Sequence, residues 1–160
     1  MMTREHQKLA AGRSWVVVGA ASFEAIPPAF PLGEETFVLF LAADATGISH
    51  QALLGYCTRL LNAGARCVCV WGPDCSRVHD VFDQAAAELA LDNSNGVVMT
   101  TWHDHEPVEE ALWFAANAAF PHERYADAAD ALVALSVHSS DWESQIRRYL
   151  EAGTPILDEA

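Results

Sequence analysis

At 160 residues with a hydrophobic fraction of 51%, the chain has enough apolar material for one packed core and too little length for two ordinary ones. Its formal net charge is −13; Arg4, Lys8 and Arg13 all fall in the first 14 residues, so that from Ser14 onward six arginines face 21 carboxylates. So acidic a body repels phosphate backbones and anionic lipid, which excludes nucleic acid and a membrane surface as expected partners and favours a cation or a basic protein.

The opening MMTREHQKLAAGRS is polar and carries no apolar signal core, so 1–14 reads as a flexible segment ahead of a single domain over 15–160. No apolar run approaches the ~20 residues needed to cross a bilayer, and a cytoplasmic protein is expected. Cys57, Cys67, Cys69 and Cys75 lack paired C-x-x-C spacing and are expected to be reduced thiols.

In chain order, continuous apolar runs predict strands at Trp15–Ala20, Phe37–Ala43, Arg66–Trp71, Gly96–Trp102 and Ala131–Val137. Runs without polar alternation suit strands covered on both faces. The first connection, SFEAIPPAFPLGEET, has three prolines and no helical period, so it reads as a loop. Helical patterns fill the later gaps. The first ends at Leu61-Asn-Ala-Gly64, and the second places Val78, Phe82, Ala85 and Leu89 on one face. The third stripes Val108, Ala111, Leu112 and Ala115, while Trp113, Phe114 and Phe120 fall outside that stripe. Those three are expected either to pack under the proline-rich loop or to form an oligomer contact. The last opens with a capping box, Ser140-Asp-Trp-Glu143, aligns Trp142, Ile146, Tyr149 and Leu150, and closes at Ala152-Gly153-Thr-Pro155.

This order predicts a three-layer α/β sandwich: a mainly parallel sheet of about five strands with helices on both faces, Rossmann-like or flavodoxin-like. The four later strands should be mutually parallel, with the first at an edge in either direction. A ligand site in such a sheet lies at the carboxyl ends of the strands, near the switch in strand order.

That edge collects chemistry. It receives Asp44; then Trp71, Asp74, Cys75 and His79; then Thr100, Thr101, Trp102, His103, Asp104, His105 and Glu106; then His138 and Asp141. With His50 it holds five of the seven histidines. Purely structural roles exist for several of these. Asp74 and Asp104 or Glu106 can cap helices that begin at Pro73 and Pro107, Cys75 continues an apolar helix face, and Trp71 and Trp102 can close the core. As a site, His103, Asp104, Glu106 and Cys75 are the candidate catalytic groups. Asp44, Trp71, Asp74, Thr100, Thr101 and Trp102 are candidate ligand contacts. Cys75, His79, His103 and His105 offer the nitrogen and sulfur donors that a divalent metal such as zinc takes. His103 and Asp74 should meet at the edge.

Phosphate-loop, GxGxxG, GxSxG and HExxH motifs are absent, and the lone lysine, Lys8, excludes a phosphate-accepting receiver. The segments VWGPDCSRVHDVFD and VMTTWHDHEPVEEALWF resemble the signature stretches of a small uncharacterised family of bacterial α/β domains. That resemblance implies the fold and assigns no catalytic residue. Two functions remain: a rim site for a small molecule or metal, with hydrolysis or group transfer open to it, or an inhibitor, immunity or accessory protein that meets a basic protein partner.

Overall fold

The computed structural model describes residues 2–8, 13–30, 36–93 and 96–153. Pro155 and the centre of the long loop, 31–35, lie outside them. Strands β1 (Met2–Lys8), β2 (Ser14–Ala20) and β3 (Phe37–Ala42) lead into helix α1 (His50–Ala63). Then come β4 (Ala65–Trp71), α2 (Cys75–Glu88), a short hairpin of β5 (Asp92–Asn93) and β6 (Gly96–Val97), and β7 (Met99–His103). The chain ends through α3 (Val108–Asn117), β8 (Ala131–Val137) and α4 (Ser140–Glu151).

The main sheet runs β1-β2-β8-β3-β4-β7. Every pair from β2 to β7 is parallel, as expected for the four later strands, and only β1 runs antiparallel, against β2. Taken from the β7 edge, β7-β4-β3-β8 is the 3-2-1-4 order of a doubly wound sheet, with its switch between β3 and β8.

Two expectations about the start of the chain are corrected. The first predicted strand, β2, is parallel and interior, and part of the supposedly flexible segment supplies the neighbour β1. The reason is burial: Trp15, Val16, Val17 and Val18 are at most 1% exposed, so this strand needs cover on both sides as well as both faces. Arg13, read as part of a polar tail, is itself buried. Its guanidinium donates to the carbonyls of Ala129 (2.7 Å) and Ala115 (2.5 Å) and to that of Ala119, which ties the start of β2 to the end of α3.

The fourth predicted strand, Gly96–Trp102, is interrupted. Val98 turns inward, buried, with its amide on the Leu91 carbonyl (3.2 Å), and Gly96–Val97 pairs back on Asp92–Asn93.

Alternation within the strands divides the core in two. Val16, Leu39, Val68 and Leu135 face α1 and α2, while Val17, Phe40, Cys69 and Ala134 face α3 and α4. The helix stripes match their expected burial: Val78, Phe82 and Ala85 on α2; Val108, Ala111, Leu112 and Ala115 on α3; Ile146 and Leu150 on α4. Gly64 closes α1 with φ of 123°. The capping box of α4 is displaced by one residue. Ser139 is the cap, accepting from the Trp142 amide (3.2 Å), and Glu143 pairs with Arg147 (3.0 Å) instead of reaching back.

Candidate ligand site at the carboxyl edge

Strands β4 and β7 pair from Cys67 with Met99 to Trp71 with His103, so their outgoing turns stand side by side. Between the turns lies a cavity of about 690 Å³, lined by Trp71 to Ser76 of the first turn, His103 to Pro107 of the second, and Trp142 of α4. His103 and Asp74 both line it, as expected. The cavity sits two strands over from the β3–β8 switch, between β4 and β7, because the end of β3 is closed by backbone. Ala43 donates to the Trp71 carbonyl (3.0 Å) and Ala45 to the Pro73 carbonyl (3.2 Å), while the Asp44 carboxylate folds back onto the Thr46 amide (2.9 Å). Hydrogen bonds from Thr46 hold the Asp44 carboxyl below its ordinary pKa, and Asp44 does not line the cavity.

Neither of the best-placed carboxylates caps a helix. Asp74 holds the first position before α2 in a left-handed conformation (φ 68°), but its side chain pairs with Arg77 Nε at 2.7 Å. The residue before α3 is Pro107, which has no side-chain acceptor, and Glu106 Oε1 lies 2.7 Å from His103 Nδ1. Asp104 points toward His105 Nε2 at 3.6 Å. The rim also concentrates left-handed residues that are not glycine: Asp74, His105 (φ 61°) and His138 (φ 79°). Strain of this kind persists where the surrounding structure over-determines it, and it gathers at binding sites.

His103 is clamped from both ends. Thr101 Oγ1 is 2.8 Å from Nε2, Glu106 takes Nδ1, and the ring packs on Phe114 with centroids 4.9 Å apart. With Glu106 ionised, Nδ1–H donates to the carboxylate and Nε2 accepts from the threonine hydroxyl. Trp71 Nε1 donates to the Glu106 carbonyl at 2.8 Å, fixing the indole and the loop together. Hydroxyl, imidazole and carboxylate stand in the order used to activate a nucleophile. The lining of the cavity, however, includes His103 and Glu106 and omits Thr101.

Period-two alternation along β7 divides the other candidates. Thr101 and His103 face α3; Thr100 and Trp102 face α2, where Thr100 donates to Asp83 Oδ1 (2.7 Å) and the Trp102 ring lies 4.5 Å from that of His79. Of the two tryptophans expected to flank a pocket, Trp71 does and Trp102 does not; Trp102 is 48% exposed. The expected metal set is likewise dispersed. His79 lies across the sheet from His103 and the His105 side chain is 92% exposed; Cys75 does stay beside His103 at the cavity, but it is largely buried and burial pushes its thiol pKa up. Among the described residues, three donor atoms within 4.8 Å of one another occur instead at His79, Asp80 and Asp83. One turn of α2 brings these three together, so their helical spacing was the available signal.

Trp142 and Ser76 were missed as cavity residues. Trp142 belongs to the apolar stripe of α4, and only its place in the first turn after β8 hinted at the rim. It meets Trp71 edge-on, with centroids 5.1 Å apart at 83°. Trp113 and Phe114 are half-buried. The described first part of the proline-rich loop covers the opposite face, where Phe23 stacks on Tyr56 and Arg59 donates to the Ile26 carbonyl. Phe120 remains 62% exposed.

These features define a doubly wound α/β domain with an acidic, tryptophan-walled cavity at its carboxyl edge. Over residues 17–152 the chain matches the model of the family described as Domain of unknown function (DUF7684), and it belongs to that family. Both stretches that carried the resemblance, Val70–Asp83 and Val98–Phe114, lie inside the match. Comparison with curated proteins finds no match. Among the described residues, no helix is long and apolar enough to cross a membrane.

Proposed function

We propose that this protein binds a small ligand in the cavity between the β4–α2 and β7–α3 turns. The observation that carries the reading is the convergence of His103, Asp104, Glu106 and Asp74 on one cavity, with Asp74 and Glu106 spared from capping. Binding is favoured over catalysis because the hydroxyl held by His103 Nε2, that of Thr101, is not part of the cavity lining, so the hydroxyl–imidazole–carboxylate relay stops short of a ligand bound there. The test is a fragment screen read by the indole N–H resonances of Trp71 and Trp142, beside a Ser76→Phe variant that fills the cavity. Saturable shifts in wild type that disappear in a folded Ser76→Phe support the reading; shifts that persist in the variant place binding elsewhere and sink it.

A second reading is favoured by the donor geometry of His79, Asp80 and Asp83. A zinc-like ion there would take three protein ligands and leave one position to water. Calorimetric titration with zinc, repeated on His79→Gln, decides it. Equal heats from both proteins would remove the metal from α2.

A further inference from the structure

Resting on the small-ligand reading above, we infer that the ligand of this cavity is an organic cation, an amine or guanidinium held against Trp71 and Trp142 with Asp104 and Glu106 as its counter-charges. The lining includes three carboxylates, Asp74, Asp104 and Glu106, and neither lysine nor arginine. Arg77, which stands outside the lining, balances Asp74 at 2.7 Å. The chain's lone lysine, Lys8, belongs to β1 at the opposite edge of the sheet. Among the described residues, the ion-pair partners of Asp104 and Glu106 are imidazoles, His105 at 3.6 Å and His103 at 2.7 Å, and these cancel charge only when protonated.

The opposing field comes from the N-termini of α2 and α3, neither of which has a side-chain cap. Each is equivalent to roughly half a positive charge, so the two together amount to about one against two full carboxylate charges. An anion entering here would meet net repulsion and no cationic side chain. A neutral ring would gain stacking on the indoles but no use of the carboxylates. A cation uses both, because an ammonium or guanidinium over an indole face is attracted by the ring quadrupole, the more strongly the more the site is desolvated. The two tryptophans suit that role. Both are half-buried, and Trp71 is held by its bond to the Glu106 carbonyl, which joins the aromatic wall to the acidic loop.

The experiment titrates the full chain with three probes of similar shape, benzylamine, benzyl alcohol and benzoate, followed by the indole N–H resonances. Benzylamine is expected to shift Trp71 and Trp142 saturably and to bind at least about tenfold more tightly than the other two. Its affinity should fall severalfold between low and physiological salt, and severalfold again in Asp104→Asn, a change at a half-exposed side chain that leaves melting near wild type. Benzoate or benzyl alcohol binding as tightly as benzylamine would overturn the cation assignment and leave the small-ligand cavity standing. So would an affinity for benzylamine that is flat with salt, a measurement on wild type that holds even if Asp104→Asn fails to fold. Should none of the three probes move either indole in folded protein, the small-ligand reading falls with its refinement.

Discussion

Arg13 carries a full charge into the interior, held by three carbonyl oxygens, by the Phe120 ring whose centroid lies 5.2 Å from its guanidinium carbon, and by the field of Asp130. Arg13→Met would remove the cost of burying that charge but leave those carbonyls without donors at 1–3 kcal/mol each. We expect a net loss of about 3 kcal/mol, read as a lower midpoint in urea. Arg13→Lys, which keeps the charge and loses the planar fork, should fall between. The two histidines of HDHE should behave differently from each other. His105→Gln, at an exposed position, is expected to change stability by less than about 0.5 kcal/mol, whereas His103→Gln breaks a two-ended clamp and should cost about 1–2 kcal/mol in thermal melts. At Asp44 the pKa is lowered by the bonds from Thr46, so its contribution to stability is present above the ordinary value of 3.8 and is lost as pH falls through the folded value. Asp44→Asn should therefore be less stable than wild type at neutral pH, with the gap closing in acid; a constant gap across that range would contradict the assignment. At this scale the sequence was readable where one side chain decides the outcome, as for Cys75 on its apolar helix face. It was unreadable where a partner far along the chain decides, as for Arg13, whose carbonyl partners Ala115, Ala119 and Ala129 all lie in or beyond α3.

Among the elements, the β4–α2 turn is the most tightly constrained. Gly72 has φ of 121°, and a Cβ there would stand 2.1 Å from the Ala43 carbonyl oxygen. Gly72→Ala should cost more than about 2 kcal/mol and disturb the cavity floor with it. Gly47→Ala supplies the contrast, since its φ is 83° but nothing lies within 4 Å of the added methyl, and it should cost only about 1 kcal/mol. Comparable losses at the two sites in denaturant melts would show that φ alone, not the approach of β3, sets the requirement. The helices were legible because apolar spacing reports burial directly. The break at Val98 was not, because a β-branched run reads as one strand whichever residue turns inward, and the bond that interrupts it is donated by the Val98 amide to the Leu91 carbonyl.

For the molecule as a whole, a net charge of −13 predicts self-repulsion that salt relieves. Raising ionic strength from about 0.01 to 0.15 M shortens the screening length from roughly 30 to 8 Å and should raise the melting temperature by a few degrees, monotonically and with simple 1:1 salts. A flat response would mean that the acidic groups are already compensated locally. The three-layer arrangement and the parallel strands could be read from continuous apolar runs and crossover lengths, and the carboxyl edge followed from them. The position of β2 could not, because strand order depends on which hydrogen-bonding edge remains free once the helices have packed, and no local pattern encodes that.

The pairing of Ser14 with Ala131 also sets a timetable. During synthesis β3, α1, β4, α2 and β7 emerge in an order that lets each pack on the one before it, so the middle of the sheet can assemble as it leaves the ribosome. Strand β2 is made long before its parallel partner β8, with β3 through α3 between them, and until β8 emerges the apolar segment WVVVGA has β1 as its paired neighbour. Closure of this long loop is the slow, non-local step of the fold. The nascent chain therefore passes through a stage in which its first apolar strand is exposed, the interval in which a chaperone has most to bind and aggregation has most to gain.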